Sequence, residues 1–140
     1  MNTLNTNLPT RGERNNNPGN IDRNTIKWVG MSGIQSDSRF CSFTTPAYGI
    51  RAIGKLVTNY YRMYKLNTIA KIINRWAPVV ENNTDAYIKA VCLACNLNKD
   101  DLISILTPAL LMLIVKAIIT HENGRCIYTD ADITTALSIK

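Results

Sequence analysis

The sequence predicts a mostly α-helical single domain with a small irregular lobe, containing some β-structure, near its N-terminus. Apolar residues recur at helical spacing from residue 46 onward, and a glycine- and asparagine-rich segment without that period precedes them at residues 11–37. The chain has 140 residues, of which 46% are hydrophobic and 19% charged, so it can bury one core. We expect residues 1–10 to form a disordered tail and residues 11–140 to form the domain.

The first ordered segment carries the motif RGERNNNPGNI, in which Pro18 and Gly19 indicate a turn. Short strands are predicted at residues 26–30 and 39–43. The first helix follows, with Thr44 or Thr45 as its cap and Pro46 in its first turn.

The remaining helices are bounded by capping and breaking residues. A second helix is predicted at residues 66–76, and a third begins at Asn83 or Thr84. A short helical turn is expected at residues 99–106. The fourth helix, residues 108–122, is apolar nearly all round and should be buried, and a last helix occupies residues 130–138.

Glu122 ends the most apolar helix, where Asn123 and Gly124 stop it. The negative end of the helix dipole and the apolar neighbours both favour the protonated form of this carboxyl group. A carboxylic acid that keeps its proton can donate it to a glycosidic oxygen. The alternative is that the motif HENG is only a polar helix end followed by a turn.

The other polar groups carry weaker signals. Of the remaining glutamates, Glu13 lies between Arg11 and Arg14 as an expected surface ion pair, and Glu81 precedes a helix start as an expected cap. The asparagines of NNNPGN suit sugar hydroxyl and N-acetyl groups, although asparagine is also an ordinary turn former.

The net charge of +6 favours polyanionic partners, and nucleic acid remains an alternative on this ground alone. The four cysteines are expected to be free thiols in the core, and their spacing predicts no metal site. The N-terminus does not resemble a signal peptide, and no apolar stretch is long enough to span a bilayer, so we expect a soluble protein.

Taken together, the motifs resemble a family of phage and prophage lysozyme-like proteins, some of them virion proteins and some cell-wall lytic enzymes. The resemblance extends from Arg11 to Tyr128 and rests on RGERNNNPGNI, KWVGM, RFCSFTTPAYGIRAIGKL, LNTIAKIINRWAPVVENNTDAYIKAV and AIITHENG, in that order.

Individual motifs are also similar to those of lytic transglycosylases and bacterial glucosaminidases. IVKAIITHENG resembles their catalytic-glutamate helix, NNNPGNI resembles their asparagine-rich segment, and the run beginning at Tyr87 resembles a Tyr-Val-x-x-Val pattern beside the cleft. Those enzymes have the order glutamate helix, asparagine segment, tyrosine helix. This chain has the same cyclic order with a different starting point, which implies a circularly permuted lysozyme-like fold.

The resemblance implies cleavage of the bond between N-acetylmuramic acid and N-acetylglucosamine in peptidoglycan, with Glu122 as the catalytic residue. It implies substrate-binding roles for a further set of residues: Asn15, Asn17, Asn20, Tyr87 and Asn123. Only Asp22 and Asp37 are candidates for a second carboxylate, which favours lytic transglycosylase chemistry over hydrolysis.

No metal or organic cofactor is implied, and we expect a monomer made in the host cytoplasm that acts on the cell wall without specific nucleic-acid binding or membrane insertion. The main alternative is a catalytically inactive glycan-binding or structural virion protein of the same fold.

Overall fold

The structure, a computed structural model, describes residues 8–80 and 82–140. This part of the chain contains six helices: α1 (Arg11–Arg14), α2 (Pro46–Met63), α3 (Ile69–Trp76), α4 (Thr84–Cys95), α5 (Pro108–Asn123) and α6 (Asp130–Leu137). The prediction of a mostly helical protein is confirmed. The lysozyme-like, permuted topology stays a prediction, and the interpretation of Glu81 falls outside the described residues.

The N-terminal lobe, the described residues 8–45 that precede α2, begins with a helix that the sequence did not predict. Thr10, expected in the disordered tail, starts α1 through a capping box in which its hydroxyl accepts from the Glu13 backbone N–H at 3.2 Å. Most of the expected tail, residues 1–7, lies outside the described residues. The segment is therefore organised by its caps and not by an apolar helical period.

The predicted strands at residues 26–30 and 39–43 are wrong. In the described residues the β-structure consists of two isolated bridges, Asp22 with Phe40 and Met31 with Phe43. Asparagine side chains take the place of a hydrogen-bonded ladder, since the Asn17 amide donates to the carbonyl oxygens of Ile21 and Cys41 at 3.0 and 2.9 Å.

The helices pack around an isoleucine-rich core. The largest fully buried aliphatic side chains come from α2, α3, α4, α5 and α6: Ile50, Ile53, Val57, Ile69, Ile72, Ile73, Val91, Ile114, Ile118, Ile119 and Ile133. Helix α5 packs against α2, α4 and α6, and also contacts α1. The helix that carries Glu122 therefore touches both the other helices of the bundle, α2, α4 and α6, and the N-terminal lobe.

Several boundaries agree with the capping signals. Asn83 caps α4, Thr129 caps α6 with a capping box, and α5 ends at Asn123 because Gly124 adopts a left-handed φ of 73°. Helix α3 starts later than predicted, at Ile69, because Thr68 accepts from the Lys71 backbone N–H.

The helical turn predicted at residues 99–106 is wrong. Backbone groups of this segment bond to other parts of the chain instead of to one another. The Ile103 and Ser104 carbonyls accept from the Tyr61 hydroxyl at 2.9 and 2.7 Å. In addition, the Ile103 N–H donates to the Asn67 carbonyl at 2.8 Å. The segment is held open by these tertiary contacts.

All four cysteines are free thiols, as predicted. Cys41 and Cys95 are buried, whereas Cys92 and Cys126 are half-buried. Over residues 8–80 and 82–140, the helices are too short or too polar to cross a membrane.

Candidate active site

Glu122, in the last turn of α5, is the centre of a hydrogen-bonded cluster. Its Oε1 accepts from Asn20 Nδ2 at 3.0 Å, and its Oε2 accepts from the Tyr87 hydroxyl at 2.9 Å. The partners come from the N-terminal lobe and from α4. The structure thus brings together three residues that the sequence predicted for one site.

The Tyr87 hydroxyl is held as a proton donor. Its side chain is 1% exposed, and burial, the charge of Glu122 and the hydrogen bond to Glu122 all raise its pKa, against a smaller opposing contribution from a hydrogen bond with Trp76. The His121 ring stacks on the Tyr87 ring with their centroids 3.8 Å apart. His121 therefore contacts Tyr87, the residue that orients Glu122.

A tight turn presents Asn20 to Glu122. Asn20 has a left-handed φ of 51°, and its backbone N–H donates to the Asn17 carbonyl at 3.0 Å. Gly19 has no room for a side chain, because a Cβ there would lie 2.7 Å from Ile53 Cγ1. While Asn20 Nδ2 faces Glu122, its Oδ1 is buried without a hydrogen-bond partner in the described part of the chain.

Asn15 and Asn17 do not line the cleft around Glu122. Asn17 is fully buried; besides its two donor bonds, its Oδ1 accepts from the Ile21 backbone N–H at 3.0 Å. Asn15 donates to Asp37 at 2.9 Å and accepts from the Ser42 hydroxyl at 3.2 Å. Both amides hold the lobe that carries Asn20.

Asn123 joins the end of α5 to the N-terminal lobe. Its Oδ1 accepts from the Thr10 hydroxyl at 2.6 Å, and its Nδ2 donates to the Pro18 and Ile119 carbonyls, both at 2.8 Å. It also lies outside the cleft lining. The hydrogen bonds between Asn123 and the lobe fix the position of the turn at Pro18, which precedes Asn20, relative to Glu122.

The expectation that Glu13 forms a surface ion pair with its neighbours is wrong. Its side chain is 4% exposed and accepts from Arg125 Nη2 at 2.6 Å and from Arg125 Nε at 3.0 Å. Hydrogen bonds from Arg125, and then from the Thr10 backbone N–H, hold the pKa of Glu13 below its ordinary value despite burial. Arg11 pairs instead with Asp37.

The cleft in front of Glu122 has a volume of about 500 Å³, and its lining combines aromatic, aliphatic, amide and charged groups. Its aromatic side chains are Phe40, Tyr60 and Trp76. From the sequence alone, Tyr60 and Trp76 are more typical of core or rim packing than of a sugar-stacking surface, since no motif marks either residue as part of a cleft.

The two candidates for a second carboxylate occupy different environments. Asp22 lines the cleft and pairs with Arg39 at 2.8 Å. Asp37 lies outside it, where the Arg11 guanidinium, followed by the Phe40 N–H and the Asn15 amide, holds the pKa of Asp37 far below its usual range. Within the described ranges, no cluster of three or more metal-ligating side chains occurs.

The fold and the site define a small helical protein whose polar, aromatic-lined cleft centres on one carboxylate. No known family model matches the chain. It is 37% identical over 127 residues to Protein P5 of Pseudoalteromonas phage PM2, a match that covers 88% of this chain and 77% of that protein. The chain belongs to the family of this phage protein, so the expected relation to phage proteins is confirmed.

Proposed function

We propose that this phage-related protein is an enzyme that cleaves the β-1,4 bond between N-acetylmuramic acid and N-acetylglucosamine in peptidoglycan, with Glu122 as its catalytic residue. The observation that carries the proposal is the convergence of Asn20 and Tyr87 on the two oxygens of Glu122 within a cleft. A phage or prophage would use this activity to lyse or penetrate the cell wall.

The chemistry requires one group that first gives and then takes a proton. Protonated Glu122 donates to the bridging oxygen as the glycosidic bond breaks. The resulting carboxylate then accepts the proton of the muramic C6 hydroxyl as that oxygen bonds to C1, giving a 1,6-anhydro product. Each carboxylate oxygen has a second lone pair for these transfers while Asn20 and Tyr87 fix the side-chain orientation.

The anhydro route is favoured over hydrolysis by the surroundings of Glu122. A hydrolase that uses the common two-carboxylate mechanism needs a second carboxylate as nucleophile or base. In the described cleft lining the other carboxylate is Asp22, which is ion-paired with Arg39. The lytic transglycosylase reaction needs no such group.

A glycan-binding or structural phage protein without catalysis is the second candidate. Its support is that both Glu122 oxygens already accept hydrogen bonds from protein side chains, so a structural role would also explain the cluster. Such a protein would retain peptidoglycan in the cleft without breaking its bonds.

Digestion of purified Gram-negative sacculi, followed by mass spectrometry of the released fragments, tests the proposal. We expect 1,6-anhydro muropeptides from the wild-type protein and a decrease in rate of about 100-fold or more for Glu122→Gln, the range for loss of a general acid–base group. Asp100→Asn, an exposed carboxylate outside the cleft, is the matched control and should retain full activity.

Reducing-end fragments in place of anhydro fragments would indicate muramidase chemistry at the same bond. Wild-type protein that binds sacculi but releases no fragments would support the non-catalytic candidate. Equal release by wild type and Glu122→Gln would rule out Glu122 as the catalytic residue.

A further inference from the structure

Two contacts place Trp76, the last residue of α3, near Glu122. Its ring packs against the turn before Asn20, since a Cβ on Gly19 would lie 3.1 Å from Trp76 Cζ2. Its side chain also interacts with Tyr87, whose hydroxyl donates to Glu122. Trp76 and Glu122 line the same cleft.

The other aromatic rings of the cleft are covered by guanidinium groups. Arg11 and Arg39 lie 4.5 and 5.0 Å from the Phe40 ring centroid, and Arg75 lies 5.6 Å from that of Tyr60. Trp76 is the third aromatic residue of this lining, and its side chain is half-buried. Its indole therefore gives the cleft an aromatic surface that can receive a ligand.

Amide side chains share the cleft with this aromatic surface. The side chains of Asn20, Asn24 and Asn82 belong to the same lining, and they combine hydrogen-bond donors with acceptors. A pyranose ring has an apolar C–H face that packs on an aromatic ring, whereas an acetamido substituent needs a donor and an acceptor. The lining offers both kinds of contact within one cleft.

We infer that Trp76 is the stacking platform of a subsite that binds an N-acetylated β-1,4-linked sugar beside Glu122. The inference rests on the proposed function, because it names a sugar-binding residue of that same cleft. It concerns binding alone, so it also holds for a glycan-binding protein that does not cleave its ligand.

The test uses chitotriose, a soluble trimer of N-acetylglucosamine, and cellotriose, which has the same linkage without acetamido groups. The chain has only two tryptophans, Trp28 and Trp76, so ¹⁵N NMR of the intact protein gives one indole N–H signal for each. Trp28 does not line the cleft and serves as an internal control, with Trp28→Phe assigning the two signals.

We expect chitotriose to shift the Trp76 indole signal and leave that of Trp28 unchanged, with cellotriose binding at least about tenfold more weakly. Trp76→Ala should lower the affinity for chitotriose about tenfold or more, whereas Trp76→Phe, which keeps an aromatic face, should lose less. Far-UV circular dichroism verifies that each variant is folded.

A Trp76 signal that does not move at saturating chitotriose, or equal affinity for both trimers, would overturn the inference. These outcomes are distinct from failure of the proposed function. If the protein binds chitotriose at Trp76 but leaves sacculi intact, the subsite stands and the proposed enzymatic activity fails. If it digests sacculi while the Trp76 signal stays unperturbed by chitotriose, the activity stands and the subsite fails.

Discussion

At the scale of single residues, the site depends on how the Glu122 carboxylate is oriented. Asn20 and Tyr87 each hold one of its oxygens; one donor comes from the N-terminal lobe and the other from α4. The hydrogen bonds restrict the side chain to one orientation before any substrate arrives. Residues that donate to Glu122 should therefore affect the rate of reaction more than the affinity for peptidoglycan.

Tyr87→Phe keeps the ring but removes the donor to Oε2 and the hydrogen bond with Trp76. We expect kcat on sacculi to fall about 10- to 100-fold, because a hydrogen bond to a charged group contributes about 1.5–3 kcal/mol. KM should change little. Tyr61→Phe is the matched control, since its hydroxyl bonds to the Ile103 and Ser104 carbonyls outside the cleft. Equal kcat for wild type and Tyr87→Phe would contradict the assigned role.

Glu13→Gln tests the ion pair that joins α1 to the segment after α5. The variant leaves Arg125 without its buried counter-charge, so we expect the free energy of unfolding at pH 7 to fall by about 2–4 kcal/mol. Arg11→Gln, which removes a more exposed pair with Asp37, should cost less. Urea denaturation at pH 7 measures both changes.

The contribution of Glu13 should also depend on pH. Its folded-state pKa lies below the ordinary value of 4.5, so the stabilisation is fully present above pH 4.5 and is lost as the pH falls through the folded-state pKa. The difference in unfolding free energy between wild type and Glu13→Gln should therefore shrink below pH 4.5. A difference that is constant from pH 7 to pH 3 would exclude this coupling.

The sequence predicted some site residues and could not predict others, for physical reasons. The cyclic order of the motifs placed Asn20 and Tyr87 with Glu122. It could not separate Asn20 from Asn17, because an asparagine that satisfies backbone carbonyls and one that faces a carboxylate look alike in sequence. The Glu13–Arg125 pair joins residues 112 positions apart, and only the tertiary fold brings them together.

At the scale of elements, local signals set the helices and tertiary contacts set the segments between them. Asparagine and threonine caps placed the starts of α4 and α6 correctly, and Gly124 placed the end of α5 to within one residue, because a cap acts within a few residues. The predicted strands and the turn at residues 99–106 failed because side chains and distant carbonyls, absent from any local pattern, satisfy their backbone groups.

Gly49→Ala tests the close approach of α2 to the N-terminal lobe. A Cβ at this position would lie 1.9 Å from the Asn16 carbonyl oxygen, so the backbone of the lobe must move. We expect a loss of about 1–3 kcal/mol in unfolding free energy and reduced activity, because the same lobe presents Asn20.

Gly33→Ala is the matched control for this substitution. A Cβ on Gly33 meets nothing within 4 Å, so its effect should stay within about 0.5 kcal/mol. Thermal unfolding and sacculus digestion on both variants give the comparison. If Gly49→Ala were as stable and active as Gly33→Ala, the lobe would not depend on this contact.

At the scale of the whole molecule, the site exists only where the N-terminal lobe meets the helical bundle. Residues 10–20 bond to residues 119–125 through Thr10–Asn123, Glu13–Arg125 and Asn20–Glu122. The two parts of the chain are far apart in sequence. Because the lobe supplies Asn20 and the helices supply Tyr87 and Glu122, we expect the two parts to fold together.

A single cooperative unfolding transition is therefore expected, and the two tryptophans can report it separately. Trp28 lies in the lobe and Trp76 in the bundle, so Trp76→Phe and Trp28→Phe each leave a fluorescence signal from one part. Within each variant, the urea midpoint from fluorescence should coincide with that from far-UV circular dichroism. A Trp28 signal lost at lower urea than the helical signal would mean that the lobe detaches first, and the Glu122 cluster would then open without unfolding of the bundle.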